Sequence, residues 1–420
     1  MEKIKVGIIG VGERGCFVLG TQIINLSEKL NIEISAICDT NKQRLLDAQN
    51  YIDNLCKEKE LTWNKNIVHT TNYKELIDNP NVNYVFVTCH TDQHYLPAIY
   101  TLNKNKYLYL DKPITVKLTE AQNIIDLEKK VNKKIIMGFT RRYESSWRTA
   151  YELLKKGSIG TLQMMNIHSI IPYTRYYQMW QRKTEWSGGA LNDKVSHLVD
   201  VFNWMNNSEY KYLTAVGGHS NIFEPRENTP ERCIYCDDYS CSYRREYDKD
   251  DTLEGTHVLN SASWKLATND RDSADTCVYK EGCDIIDHAI VSIVYKNNIK
   301  ANLFWAIYGP HAHDQETLEL VGSKGRIVLE RDTAKVIVHK INPGHNNEET
   351  IIIDAKDNNF KSTHFGADTQ LIHDIRMIFD GKTIEELGCA KAIDGLNSLE
   401  QVCAIEKSIM EEGSKFNFEK

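Results

Sequence analysis

The stretch Ile4-Lys5-Val6-Gly7-Ile8-Ile9-Gly10-Val11-Gly12-Glu13-Arg14-Gly15 decides how the chain reads. A short apolar run ends in a glycine turn, and a helical pattern then continues to about Leu30. At this spacing the first glycine permits a tight turn, the second admits a pyrophosphate to the backbone, and the third lets strand and helix pack closely. The N–H groups that open the following helix face an anionic ligand. Ile32 to Cys38 reads as a second strand, and Asp39 follows it, 24 residues beyond Gly15. A carboxylate at that place accepts hydrogen bonds from a ribose diol. Gly10, Val11, Gly12, Arg14, Gly15 and Asp39 are therefore candidate cofactor residues. Asp39 would repel a 2′-phosphate, which favours NAD over NADP, although Lys42 and Arg44 soften that repulsion.

Working outward, Val82–Cys89, Lys106–Leu110 and Lys134–Phe139 are further strand-like runs, separated by amphipathic segments such as Leu118–Val131. Strands alternating with helices predict parallel βαβ units and a doubly wound, Rossmann-type sheet over residues 1–142. The rhythm then changes. Helices are expected up to Lys156 and over Ala190–Met205, with a strand at Leu162–Ile171 between them. From Ile285 the runs are strand-rich and short, with Gly, Asn and Lys at the joints, as in a large antiparallel sheet. Two helices, Ala367–Phe379 and Ile393–Glu411, close an α+β region spanning 143–420. Residues 217–283 are polar and weakly periodic, and a stretch of that length needs something other than an apolar core to fix it.

With 41% hydrophobic and 26% charged residues among 420, a large core is available and wholesale disorder is excluded. Fifty-one Lys and Arg against 58 Asp and Glu give a net charge of −7, which lacks the basic face that nucleic acid requires. No apolar run is long enough to cross a bilayer and no cleavage signature is evident, so a cytoplasmic location is expected. Of the 11 cysteines, six are scattered among apolar neighbours and read as small buried hydrophobes. The other five lie between Cys233 and Cys283. Cys233-x-x-Cys236 with Cys241 places three thiols within nine positions, and Cys277 and Cys283 follow. Soft thiolates at that spacing suit a closed, structural zinc site, and such a site would order a stretch with little apolar content. An iron–sulfur cluster or an oxidised pair are the alternatives.

Four more segments extend the pattern: V-T-C-H-T-D-Q-H at Val87–His94, Y-L-D-K-P-I-T at Tyr109–Thr115, M-G-F-T-R-R-Y at Met137–Tyr143 and S-G-G-A-L-N-D-K-V-S-H-L-V-D at Ser187–Asp200. With the glycine turn, and with E-L-V-G-S-K-G-R-I at Glu319–Ile327, they resemble the glucose–fructose oxidoreductase / inositol dehydrogenase (Gfo/Idh/MocA) family over nearly the whole chain. The resemblance implies a nicotinamide-dependent oxidoreductase acting on a secondary hydroxyl of a sugar, glycoside or cyclitol. Asp111-Lys112-Pro113 is similar to the family's Glu-Lys-Pro, and Asp193 with His197 to its Asp-x-x-x-His. Lys112, Asp193 and His197 are thereby implied as catalytic, with Thr88, His94 and Asp111 added to the cofactor residues. A histidine is poised near neutrality for proton exchange, and a lysine cation steadies a developing alkoxide. Arg141, Arg142 and Lys194 align near the substrate, and Lys194, where many members have an apolar residue, suits an anionic substituent. Thr88-Cys89-His90 departs from the family's Thr-Pro-Asn.

A subset of the family is similar in the cysteine region, which assigns Cys233, Cys236, Cys241 and Cys277 to the metal and leaves Cys283 as the spare. The family also implies self-association through the large sheet, as a dimer or tetramer. Two rival functions are carried forward. In one, the same hydride step makes a transient ketone and a glycosidic bond is cleaved with no net redox change. In the other, the fold serves as a nucleotide-sensing module without catalysis.

Overall fold

A computed structural model describes residues 2–131, 135–245, 262–269, 271–310, 312, 314–341 and 348–418. Six strands form the first sheet: β1 (Ile4–Ile9), β2 (Ile32–Cys38), β3 (Val68–Thr70), β4 (Tyr84–Val87), β5 (Tyr107–Leu110) and β6 (Ile135–Met137). They are parallel and ordered β3-β2-β1-β4-β5-β6. Helices cover both faces, which is why β1, β2 and β4 are almost wholly apolar rather than alternating. The strand order reverses between β1 and β4, and ligands of such sheets bind in the crevice at that switch point, beyond the carboxyl ends of the strands. The three-residue β3 is too short and too exposed to be read from the pattern.

The second sheet has nine strands: β7 (Leu162–Ile170), β8 (Tyr210–Gly218), β9 (His288–Tyr295), β10 (Lys300–Ala306), β11 (Glu316–Gly322), β12 (Gly325–Glu330), β13 (Lys335–Ile341), β14 (Glu348–Asp354) and β15 (Phe416–Asn417). Their order is β14-β13-β12-β11-β7-β10-β9-β8-β15. All pairs are antiparallel except β7 with β10. Alternate residues of one face join helices Ser145–Lys155, Ser196–Asn206 and Ala392–Met410 in the largest core cluster. The other face is open, with Met164, Val216, Ile290 and Phe304 exposed on it. β8 had not been expected, because its run adjoins the end of the Ser196–Asn206 helix and the start of the polar stretch.

Segments of the second half return to the first, among them the start of helix Ala392–Met410, whose Leu396 and Leu399 pack with Ile114 and Met137. Helix Ala367–Phe379 returns to the first sheet, where Leu371, Ile372 and Ile375 pack with Ile4, Ile32 and Tyr84. The described end of the polar stretch also leaves the large sheet and reaches the first domain, where the Ser263 N–H donates to Asp47 at 2.9 Å. Among the described residues, no helix is long and apolar enough to cross a membrane.

Candidate active site

The glycine turn lies at the switch point and is shaped by close approach. Gly10 has φ +88°, and a Cβ on it would stand 2.4 Å from the Cys89 backbone nitrogen. A Cβ on Gly15 would meet the Gly10 carbonyl oxygen at 2.1 Å and Thr88 Oγ1 at 2.4 Å. Gly12, by contrast, has nothing within 4 Å of that position and faces open space. The space is a cleft of about 1150 Å³ that runs from Asp39 and Arg44, past the turn and Thr88, to Lys112, Asp193 and His197. Asp39 holds the turn as well as facing the cleft. Its Oδ2 accepts the Val11 N–H at 3.1 Å and its Oδ1 the Asn41 N–H at 2.9 Å. Val11 itself is fully buried. An open backbone glycine beside a carboxylate at the end of β2 fits a dinucleotide.

At the other end of the cleft, Lys112 follows β5 and its Nζ donates to the Asp193 carbonyl at 3.0 Å, with Asp193 Oδ1 at 3.1 Å. Burial pushes the Lys112 ammonium below its ordinary pKa; Asp193 opposes that shift and Lys194 adds to it. Burial alone would raise the Asp193 carboxyl, but Lys112 and Lys194 outweigh it and hold it low. The Tyr176 hydroxyl donates to Asp193 Oδ2. Asp193 does not sit on a regular α-helix. Leu191–Val195 is a widened turn that runs into helix Ser196–Asn206, where His197 lies. Such bulges recur at functional sites.

His197 lines the cleft and is 3% exposed, its ring edge-on to Phe139 and its Nδ1 buried without a hydrogen-bond partner. Burial drives its pKa well below the usual value, and Lys112, Arg141, Lys194 and His364 drive it further. The ring is therefore neutral at physiological pH, not poised near neutrality as the motif suggested. Lys194 Nζ lies 3.9 Å from the Tyr173 ring centroid and 5.5 Å from that of Tyr176.

Several predicted residues occupy other roles. His94 is buried with Nδ1 2.9 Å from the Pro113 carbonyl and Nε2 3.0 Å from that of Cys89. It ties two loops together and is not among the described residues that line the cleft. Arg14 borders the cleft, but its guanidinium reaches Tyr109 Oη at 3.0 Å, Asp111 Oδ2 at 3.3 Å and Asp368. Asp111 accepts from Tyr109 at 2.9 Å and so belongs to that same cluster. Arg141 forms a two-pronged pair with Glu316 (3.0 and 2.7 Å), and Arg142 does the same with Asp200 (2.9 and 2.6 Å) away from the cleft.

The cysteine expectation is not met in the form stated. The backbone brings the two segments together, with the Cys233 N–H donating to Asp275 O at 2.8 Å and the Cys277 N–H to Glu231 O at 3.0 Å. Burial raises the Cys233 thiol to about 11, and neighbouring thiols, Cys277 and Cys241 among them, contribute. Yet among the described residues no three His, Cys, Asp or Glu side chains are arranged to hold a metal ion. The structure also adds lining residues that no motif announced: Trp180, Trp264, Arg271, Asp272, Arg331 and His364.

Comparison with known proteins agrees with this geometry. Residues 4–139 match the oxidoreductase family's NAD-binding Rossmann fold, and residues 151–416 match its C-terminal alpha/beta domain. The chain belongs to the Gfo/Idh/MocA oxidoreductase family. It is 28% identical over 227 residues to the inositol 2-dehydrogenase of Salmonella typhimurium, a match spanning 54% of this chain and 59% of that relative. It is 26% identical over 183 residues to glycosyl hydrolase family 109 protein 1 of a Shewanella species, covering 44% and 37% of the two chains. Among solved structures, levoglucosan dehydrogenase in complex with NADH and L-sorbose superposes over all of both chains with a TM-score of 0.73 at 15% identity. The super-repressor mutant of Gal80p from Saccharomyces cerevisiae, at TM-score 0.69 and 15% identity over 99% of this chain and 98% of that one, shares the fold as well. Fold alone does not fix activity.

Proposed function

We propose that the protein is an NAD-dependent dehydrogenase acting on a secondary hydroxyl of a sugar, glycoside or cyclitol. The observation that carries this reading is one continuous cleft joining the open glycine turn and Asp39 to Lys112, Asp193 and His197. Gly10, Gly12, Thr88 and Asp39 would hold the dinucleotide, which when bound supplies the hydride acceptor. Lys112 is the acid–base group. Burial eases loss of its proton, and Asp193 fixes its direction through two contacts. His197, kept neutral, orients the carbinol by hydrogen bonding rather than by carrying charge. Arg141 and Lys194 border the same end, and Lys194 favours a substrate with an anionic substituent.

Lys112→Ala tests the assignment: turnover is lost while NAD affinity changes little, and normal turnover refutes it. The redox-neutral alternative is favoured by the similarity to the glycosyl hydrolase. Absorbance at 340 nm with candidate glycosides separates the two, since a dehydrogenase accumulates NADH and a redox-neutral enzyme does not.

Two further properties are part of the proposal. A structural zinc on Cys233, Cys236, Cys241 and Cys277 draws its support from the backbone pairing that brings the Cys233 and Cys277 segments together, and it requires the side chains to rearrange, since among the described residues they form no metal-holding group; metal analysis of the purified protein tests it. Self-association is supported by the row Val216, Ile290, Phe304 and His168, which are paired neighbours across β8, β9, β10 and β7 on the open sheet face. Sedimentation of Phe304→Glu checks that contact.

A further inference from the structure

Three residues of the polar stretch, Trp264, Arg271 and Asp272, line the cleft although their segment belongs to the second half of the chain. They meet it in two places. At the Asp39 end, the Arg44 guanidinium lies between two carboxylates, 3.5 Å from Asp39 Oδ1 and 3.2 Å from Asp272 Oδ1. The same guanidinium is 5.9 Å from the Trp264 ring centroid. On the loop after β4, Arg271 Nε donates to His90 Nδ1 at 3.1 Å and its Nη2 pairs with Asp92. His90 stacks on Trp180, with centroids 4.3 Å apart, and Arg271 lies over Trp186 at 5.4 Å. Burial, then Arg271 and Arg44, lower His90 to about 3, so it stays a neutral acceptor for that bond.

The segment is anchored rather than draped. Trp264 and Ala274 form a small core cluster with Met179, against which Phe17 and Trp180 pack. Arg232, buried beside Cys233, pairs with Asp275 at 2.7 Å and donates to the Trp264 carbonyl at 3.0 Å and to that of Ala267. The cysteine-bearing segment thus holds the cleft-facing residues in place through the Arg232 guanidinium and through backbone bonds from Cys233 and Ile234 to Asp275.

We propose that residues 263–269 and 271–275 complete the dinucleotide site, with Trp264 and Asp272 enclosing its adenosine end and Arg271 fastening the segment to the loop after β4. The proposal rests on the NAD reading and deepens it in two ways. A second carboxylate beside Arg44 occupies the cation that would otherwise receive a 2′-phosphate, so Asp272 selects NAD against NADP together with Asp39. Release of the cofactor must also break contacts made from the far half of the chain. That makes release of NADH a slow step of each turnover.

The test measures affinities of the full chain for NAD, ADP-ribose and NADP, and the dissociation rate of NADH, in wild type, Trp264→Ala and Asp272→Ala, with circular dichroism to confirm folding. Trp264→Ala is expected to weaken NAD and ADP-ribose alike by about tenfold or more, the scale of losing one aromatic partner of a base, and to speed NADH release comparably. Asp272→Ala is expected to narrow the preference for NAD over NADP by about tenfold. If both folded variants match a wild type that binds NAD, the segment is not part of the site and the proposal falls alone. If wild type binds no dinucleotide at all, the NAD reading itself falls, and this inference with it.

Discussion

The contact between Lys112 and Asp193 offers the sharpest quantitative test of the proton chemistry. Nζ and Oδ1 are 3.1 Å apart, with the two side chains only 15% and 10% exposed. At an effective dielectric constant of about 20, that separation corresponds to about 5 kcal/mol of attraction favouring the ammonium form. Asp193→Asn keeps the shape and leaves the backbone carbonyl contact at 3.0 Å in place, but removes the charge. Since about 1.4 kcal/mol is equivalent to one pH unit, the midpoint for Lys112 deprotonation is expected to fall by about two pH units or more. The sign follows from the charge: without that carboxylate, burial and Lys194 act on the ammonium with only the weaker pull of Asp111 against them. Titration of protein carrying [ε-13C]lysine reads this without any substrate, with Lys112→Met identifying the resonance. Equal midpoints in wild type and Asp193→Asn would refute the claim that Asp193 sets the Lys112 proton affinity. A matched enzyme assay should show the acidic limb of the rate profile moving to lower pH in the variant, because the neutral amine then exists there.

Other outcomes follow from the same cleft. The His197 ring resonances should not titrate near the ordinary histidine value of about 6.5, because burial, Lys112, Arg141 and Lys194 hold the ring neutral. Its folded pKa lies below the unfolded value of about 6.5, so the unfolded chain takes up a proton that the folded one refuses. His197 therefore favours unfolding as pH drops below about 6.5, and His197→Gln should flatten that part of a stability–pH curve. Glu316→Ala leaves the Arg141 guanidinium buried without its two-pronged partner, and urea unfolding should show a loss of about 3–5 kcal/mol. Gly15→Ala drives a Cβ to within 2.1 Å of the Gly10 carbonyl oxygen; NAD binding by calorimetry should be lost even where circular dichroism shows the fold retained.

Legibility differed between the two ends of the cleft for a physical reason. The glycine turn is a local object: Gly10, Gly12 and Gly15 act on one another across a few residues, so their spacing carries most of the geometry. Lys112 and the Asp193/His197 pair come from segments 81 and more residues apart, and only the family pattern announced that they meet. The four-residue spacing of Asp193 and His197 suggested one helical face, whereas the structure reaches the same cleft through a widened turn. His94 and Arg14 each have a non-local partner that the motif does not show. Two backbone carbonyls take up the imidazole of one, and Tyr109, Asp111 and Asp368 take up the guanidinium of the other. The cleft-facing part of the polar stretch gave no signal, since lone Trp, Arg and Asp residues in an aperiodic run look alike wherever they end up.

By itself the sequence determined the parallel sheet, the glycine turn and the acid at the end of the second strand. These follow from apolar periodicity and backbone sterics, which act between neighbours in the chain. The tertiary structure alone decided which charges are spent on one another, which ring stays neutral, and which distant segment comes to rest beside Asp39 and Arg44. Those outcomes depend on burial and on charge separations of a few ångströms between residues tens to hundreds of positions apart, quantities that do not exist until the chain is folded.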